Sequence, residues 1–102
     1  MPIVRISRGA FAPELHDAVQ ARLAASLAPL EPALKQLHGL QHYYAGIDAA
    51  SHTMVNVSVW DTLADAQQMD TLAPMLALAH EFITLGVQFE RPIINYTTLW
   101  EL

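Results

Sequence analysis

Three hydrogen-bonding side chains alternate along one uncharged stretch, MVNVSVW at residues 54–60: the Asn56 amide, the Ser58 hydroxyl and the Trp60 indole. Alternation of this kind marks a β-strand, with Val55, Val57 and Val59 on one side and Met54, Asn56, Ser58 and Trp60 on the other. No charge interrupts either side, so both faces are expected to be buried. A polar group in such a place must be hydrogen-bonded or meet a ligand or water. Asn56 can donate to a substrate carbonyl or phenolate and hold developing negative charge. Trp60 can form the flat wall of an aromatic-ligand site, and Ser58 between them is a ligand-binding candidate. Each reading has a structural counterpart. Asn56 can be an amide satisfied by a neighbouring strand or helix end, and Trp60 a core residue whose indole N–H meets a backbone oxygen.

A general base is the next requirement of such a site. At about 100° per residue, His16 falls among Val19, Leu23 and Leu27 on the apolar face of the first helix. An imidazole facing the sheet in a dry cavity has an easily tuned pKa and can act as that base. Its plain alternative is a core-edge His near a helix start. His42 and Tyr44 share one side of the second strand and Tyr43 takes the other; alternation leaves open which side faces a cavity, so both are reserve ligand-binding candidates. His38 and His52 sit at turns and His80 lies off an apolar stripe, so all three are read as surface. No pair of His has metal-ligand spacing on one helix, and no metal site or cofactor is expected.

Composition excludes several classes. The net charge is −5, and the five basic residues are scattered, with no patch for nucleic acid. There is no Cys, hence no disulfide and no thiolate chemistry. No apolar run has the length of a signal peptide or a membrane span, which leads to the expectation of a soluble, cytoplasmic protein. Hydrophobic residues make up 53% of the 102 residues and charged ones 15%, against roughly 25% charged in ordinary domains. That is more apolar surface than one small core absorbs, and a two-fold homodimer is the commonest way to bury the remainder.

The elements that must position these residues can be read in order. PIVRIS at 2–7 is a first strand, and GAFAP breaks it. From Pro13 a helix is predicted over 13–32, with Leu15, Val19, Leu23, Leu27 and Leu30 on its apolar face and Pro29 and Pro32 to stop or bend it. ALKQLHG adds a helical turn ending at Gly39. Residues 40–47 and 53–60 form two strands joined by a short polar loop and so antiparallel. Asp61 or Thr62 caps a short helix, with Asp65 placed as in a capping box. A second long helix spans Pro74 to Leu85 with Met75, Leu78, Ala79 and Phe82 on one face and Gly86 ending it, and 93–102 is a fourth strand. The order β-α-β-β-α-β over a single domain, 1–102, predicts an α+β, ferredoxin-like sandwich with an antiparallel sheet. If the three valines line the face away from the helices, a second copy must cover them, giving a dimeric α/β barrel.

That order, the length, and the third strand running into VSVWDTLADAQQMD at 57–70 resemble the antibiotic-biosynthesis-monooxygenase-like family of dimeric α/β barrels. The resemblance covers nearly the whole chain as topology and about residues 54–70 as motif. It implies a cavity between sheet and helices in each subunit, taking a small aromatic ligand. Asn56 and Trp60 match the Asn and Trp that line this cavity, four residues apart, in the family's polyketide anthrone monooxygenases. Those enzymes also use a Tyr soon after the Trp, and residues 61–70 contain none. The family's haem-degrading branch uses an Asn on the first strand and a His after the Trp; here the first strand has Arg5 and Ser7, and no His occurs between Trp60 and His80. The resemblance thus implies cofactor-independent oxidation of a hydroxyaromatic compound; on the reading of the residues above, His16 or water would take a phenolic proton, Asn56 hold the oxyanion and Trp60 pack on the ring. A non-catalytic ligand-binding or structural dimer is the alternative. An isomerase is a further one, since PIVRI resembles the start of tautomerases that use an N-terminal proline as base.

Overall fold

A computed structural model describes residues 1–102. Strand β1 (Ile3–Ala10) leads through a 3₁₀ turn at Pro13–Leu15 into helices α1 (His16–Ala25) and α2 (Leu27–Lys35). The hairpin of β2 (Leu40–Asp48) and β3 (Thr53–Trp60) follows. Next come α3 (Leu63–Ala66), a 3₁₀ turn at Gln67–Thr71, α4 (Ala73–Leu85), and the short strands β4 (Gln88–Phe89) and β5 (Ile94–Thr97). The sheet runs β2-β3-β1, with β4 and β5 both on the far side of β1, and every pairing is antiparallel. This is the ferredoxin-like α+β arrangement, with its last strand divided in two. No helix is long and apolar enough to cross a membrane.

The helical segment after β1 departs from the sequence reading. Pro29 and Pro32 do not end one long helix; they lie in a second one. Ser26 closes α1, its buried hydroxyl donating to the Leu23 carbonyl at 2.6 Å. Pro29 then falls in the first turn of α2, where a missing N–H costs nothing because that donor has no partner inside the helix. The break rotates the apolar stripe: Leu30 and Leu34 are buried, while Leu27, expected on the core face, is exposed. The caps behave as expected elsewhere. Thr62 Oγ1 accepts from the Asp65 N–H at 3.1 Å, and Gly86 ends α4 with φ of 115°.

Register assigns the two faces of the sheet. Ile3, Arg5 and Ser7 on β1 stand opposite Trp60, Ser58 and Asn56 on β3, and this side faces the helices. Met54, Ser58 and Trp60 are buried there with Ile3, Val19, Leu23, Leu78 and Phe82. Val55, Val57 and Val59 point the other way with Val4 and Ile6, as the alternation predicts. β2 needs more care, because a bulge lies between Leu40 and His42. Leu40 opposes Trp60 on the inner face, but past the bulge His42 opposes Val59 and Tyr44 opposes Val57. Tyr43, Ala45 and Ile47 therefore continue the inner face. A bulge inserts one residue and exchanges the faces of all that follow.

Candidate functional site

A cavity of about 220 Å³ lies between the inner face of the sheet and α4, with the Gln67–Thr71 turn at one side. Its floor is polar and comes from three strands. Arg5, Ser58 and Tyr43 form one row across β1, β3 and β2, and Ser7 and Asn56 form the next. Its walls are apolar: Met69, Met75, Leu78 and Phe82 from the helical side and Phe89 from β4. Gly9 makes the last of these possible. A Cβ there would lie 2.6 Å from Val87 Cγ1 and 3.0 Å from Phe89 Cδ1, so only glycine lets β4 seat its side chains against the sheet. The Phe89 ring meets Phe82 edge-on, 6.4 Å between centroids, and carries the Arg91 guanidinium 5.0 Å above its face.

The three polar side chains of β3 are treated differently. The Trp60 indole N–H donates to Ser58 Oγ at 2.8 Å, which satisfies the indole and leaves the Ser58 hydroxyl hydrogen free. Asn56 makes no side-chain hydrogen bond within the protein and lines the cavity. Burial of the Tyr43 phenol pushes its pKa up to about 12, with the Arg5 charge pulling weakly the other way. Tyr43 thus keeps its proton at any physiological pH and serves as a donor, not a base. Arg5 is buried, with its guanidinium donating to Asp70 Oδ1 at 2.7 Å and to Asn95 Oδ1 at 3.2 Å.

Other candidates lie elsewhere. Trp60 points to the predicted side but is fully buried and does not line the cavity. At ~3.3 Å per strand residue it stands well along β3 from Asn56, in the core opposite Ile3. His16 is also outside the cavity. The 3₁₀ turn before it makes it the first residue of α1, over Phe11 at 6.0 Å between centroids, with Nε2 on Gln20 Oε1 at 3.0 Å. His42 and Tyr44 stack on each other at 6.0 Å on the opposite side of the sheet. Pro2 is tied at the sheet edge, its carbonyl accepting from the Thr98 N–H at 3.0 Å and the Thr98 hydroxyl at 2.8 Å. Of the residues singled out from the sequence, Asn56 and Ser58 meet at the cavity. Arg5, Ser7, Tyr43 and Asp70 join them. The signal for Arg5 and Ser7 was present in PIVRIS, whose polar residues share one parity; Tyr43 was hidden by the bulge.

No protein-family model matches the chain, and no curated protein matches it in sequence. Solved structures do. The Rv0793 protein of Mycobacterium tuberculosis superposes with a TM-score of 0.70 at 17% identity, over 99% of this chain and 98% of that one. A Deinococcus radiodurans protein provisionally named an antibiotic biosynthesis monooxygenase gives 0.74 at 15% identity, over 98% and 95%. SnoaB of Streptomyces nogalater, described as a cofactor-independent oxygenase, gives 0.63 at 19% identity, over 99% and 96%. Agreement over the full length of chains so distant in sequence is agreement in architecture. The chain has the ferredoxin-like α+β fold of the antibiotic-biosynthesis-monooxygenase-like proteins.

Proposed function

We propose that this protein is a cofactor-independent oxygenase of a small hydroxyaromatic compound, bound in the cavity above Asn56. The observation that carries this reading is an amide with no partner in the protein, beside a phenol held protonated, on the polar floor of a cavity with apolar walls. Those two donors and the Arg5 guanidinium favour a phenolate over its neutral form. An electron-rich phenolate passes an electron to dioxygen, and the radicals recombine as a hydroperoxide at a ring carbon. Loss of water leaves a carbonyl, so one ring C–H and one O–H are consumed and one O₂ becomes a quinone oxygen and a water. No imidazole lines the cavity, so the phenolic proton leaves through solvent at the mouth. The described activity of SnoaB, on the same fold, is consistent with this chemistry.

A cavity of this size suits one substituted ring, since about 150 Å³ holds a benzene. The missing imidazole favours a second reading, a ligand-binding protein without turnover. An oxygen electrode separates the two. The oxygenase consumes one O₂ for each quinone formed; binding with no oxygen uptake would establish the second reading.

The protein works as a homodimer in this proposal. The outer sheet face joins Val4, Ile6, Val55, Val57 and Val59 to Tyr44 at 59% exposure, Tyr96 at 52% and Ile94 at 44%, an apolar surface too continuous for a free monomer. His42 and Tyr44 then belong to the interface. Val57→Asp puts a charge in the middle of that face, and sedimentation velocity is expected to show a monomer where the parent protein is a dimer. A Val57→Asp protein that stays dimeric would place the interface elsewhere.

A further inference from the structure

Arg5 is the one charge of the cavity floor that water barely reaches, and its counter-ion is poorly matched to it. The Arg5 side chain is 7% exposed, while that of its partner Asp70 is 57% exposed. Burying a guanidinium is costly unless a negative charge accompanies it. Asp70 supplies that charge from a 3₁₀ turn at the cavity wall, with half its surface already in water. Leaving Arg5 would cost Asp70 little, because solvent takes over its carboxylate at once.

A guanidinium carries five N–H donors in a planar fork. Within the protein Arg5 donates through one terminal nitrogen to Asn95 and through the other to Asp70, so most of its fork remains for a ligand. The position at 2.7 Å held by Asp70 Oδ1 already seats a carboxylate. Charge around the cavity points the same way. In a chain of net charge −5, two of the five basic residues, Arg5 and Arg91, line this cavity with Asp70 as the single carboxylate. The site is locally cationic inside an acidic protein.

We infer that the ligand is a small aromatic acid, and that its carboxylate replaces Asp70 on Arg5. This deepens the reading of the cavity as a hydroxyaromatic site and rests on it. Arg5 is then the specificity-determining residue: it selects an ionised acid over the neutral compound of the same shape. Asp70 is an internal competitor that neutralises Arg5 until the ligand arrives. Asn56 and Tyr43 remain for the ring hydroxyl.

Calorimetric titration of the whole protein with 4-hydroxybenzoate and with 4-hydroxybenzamide tests this. The acid is expected to bind at least tenfold tighter than the amide, the size of one charge-assisted hydrogen bond. Asp70→Asn removes the competitor and its repulsion, so acid affinity rises about tenfold again while amide affinity stays within twofold. Arg5→Met, which exchanges a buried charge for a side chain of similar length, is expected to bind both compounds equally. Asp70→Asn alone keeps the test decisive should Arg5→Met fail to fold. Equal affinity for acid and amide in the parent protein would overturn the assignment of Arg5 while leaving the hydroxyaromatic cavity standing. An acid preference untouched by Asp70→Asn would overturn the exchange. Binding of neither compound would overturn the cavity reading along with it.

Discussion

Asn56→Ala is expected to lower kcat/KM for a hydroxyaromatic substrate by about 10²–10³-fold, the loss seen when one preorganised donor is taken from a developing oxyanion. Ser58 Oγ already accepts from the Trp60 indole, at 2.8 Å, which leaves Asn56 as the cavity-lining side chain of β3 with no hydrogen bond in the protein. Its amide has no partner in the protein, and its removal strands no buried group. The fold therefore loses little, and midpoint denaturation of the variant stays close to that of the parent. A second variant sharpens the point. Asn56→Asp keeps the shape but places a carboxylate where negative charge develops, and its loss of activity exceeds that of the alanine. If either variant turned over as fast as the parent, Asn56 would have no part in the chemistry.

Trp60 is expected to show the converse pattern. Its side chain is fully buried opposite Ile3 and lines no cavity. Trp60→Ala opens a void the core cannot close and costs about 3–5 kcal/mol. Set against a total stability of about 5–15 kcal/mol, that is a third or more of the whole for a domain near the middle of the range. Trp60→Phe retains most of the packing but deprives Ser58 Oγ of its buried donor, a cost of about 1–3 kcal/mol. Denaturant melts read both losses. Ligand affinity of the Trp60→Phe protein, measured where it is folded, is expected to match the parent within twofold. Reduced affinity with unchanged stability would return Trp60 to the ligand site.

These two residues show what the sequence made legible. Alternation put both on one side of one strand, opposite the valines, and the register and burial make that side the inner face. Alternation gives direction, not depth along the strand. Four residues separate a cavity floor from a packed core, and only the surrounding helices decide between them. His16 shares α1 with Val19 and Leu23 and is half-buried, as the wheel places it, yet it lines no part of the cavity. Leu27 is the residue the wheel over 13–32 misplaces, because the wheel assumes one axis and the chain starts a second helix after Ser26. Alternation left the faces of Tyr43 and Tyr44 open, and the extra residue at Gln41, invisible to a period of two, is what turns Tyr43 inward. The predicted strand at 93–102 is ordered as sheet only over Ile94–Thr97, where β1 offers backbone partners; beyond Thr98 there are none, and Leu99, Trp100 and Leu102 stand exposed. Buried arginine is the feature that sequence reading discounts most, because charge is normally taken as a mark of surface.

The central claim is that a small hydroxyaromatic ligand binds above Asn56, between sheet and helices. The most direct test is a two-dimensional ¹H–¹⁵N NMR titration of the labelled protein with 4-hydroxybenzoate. Saturable shifts are expected for the Asn56 side-chain amide and for backbone signals at Tyr43, Asp70 and Phe82, with the Trp60 indole signal nearly still. Shifts confined to His16, or to Tyr44 and the outer face of the sheet, would contradict it.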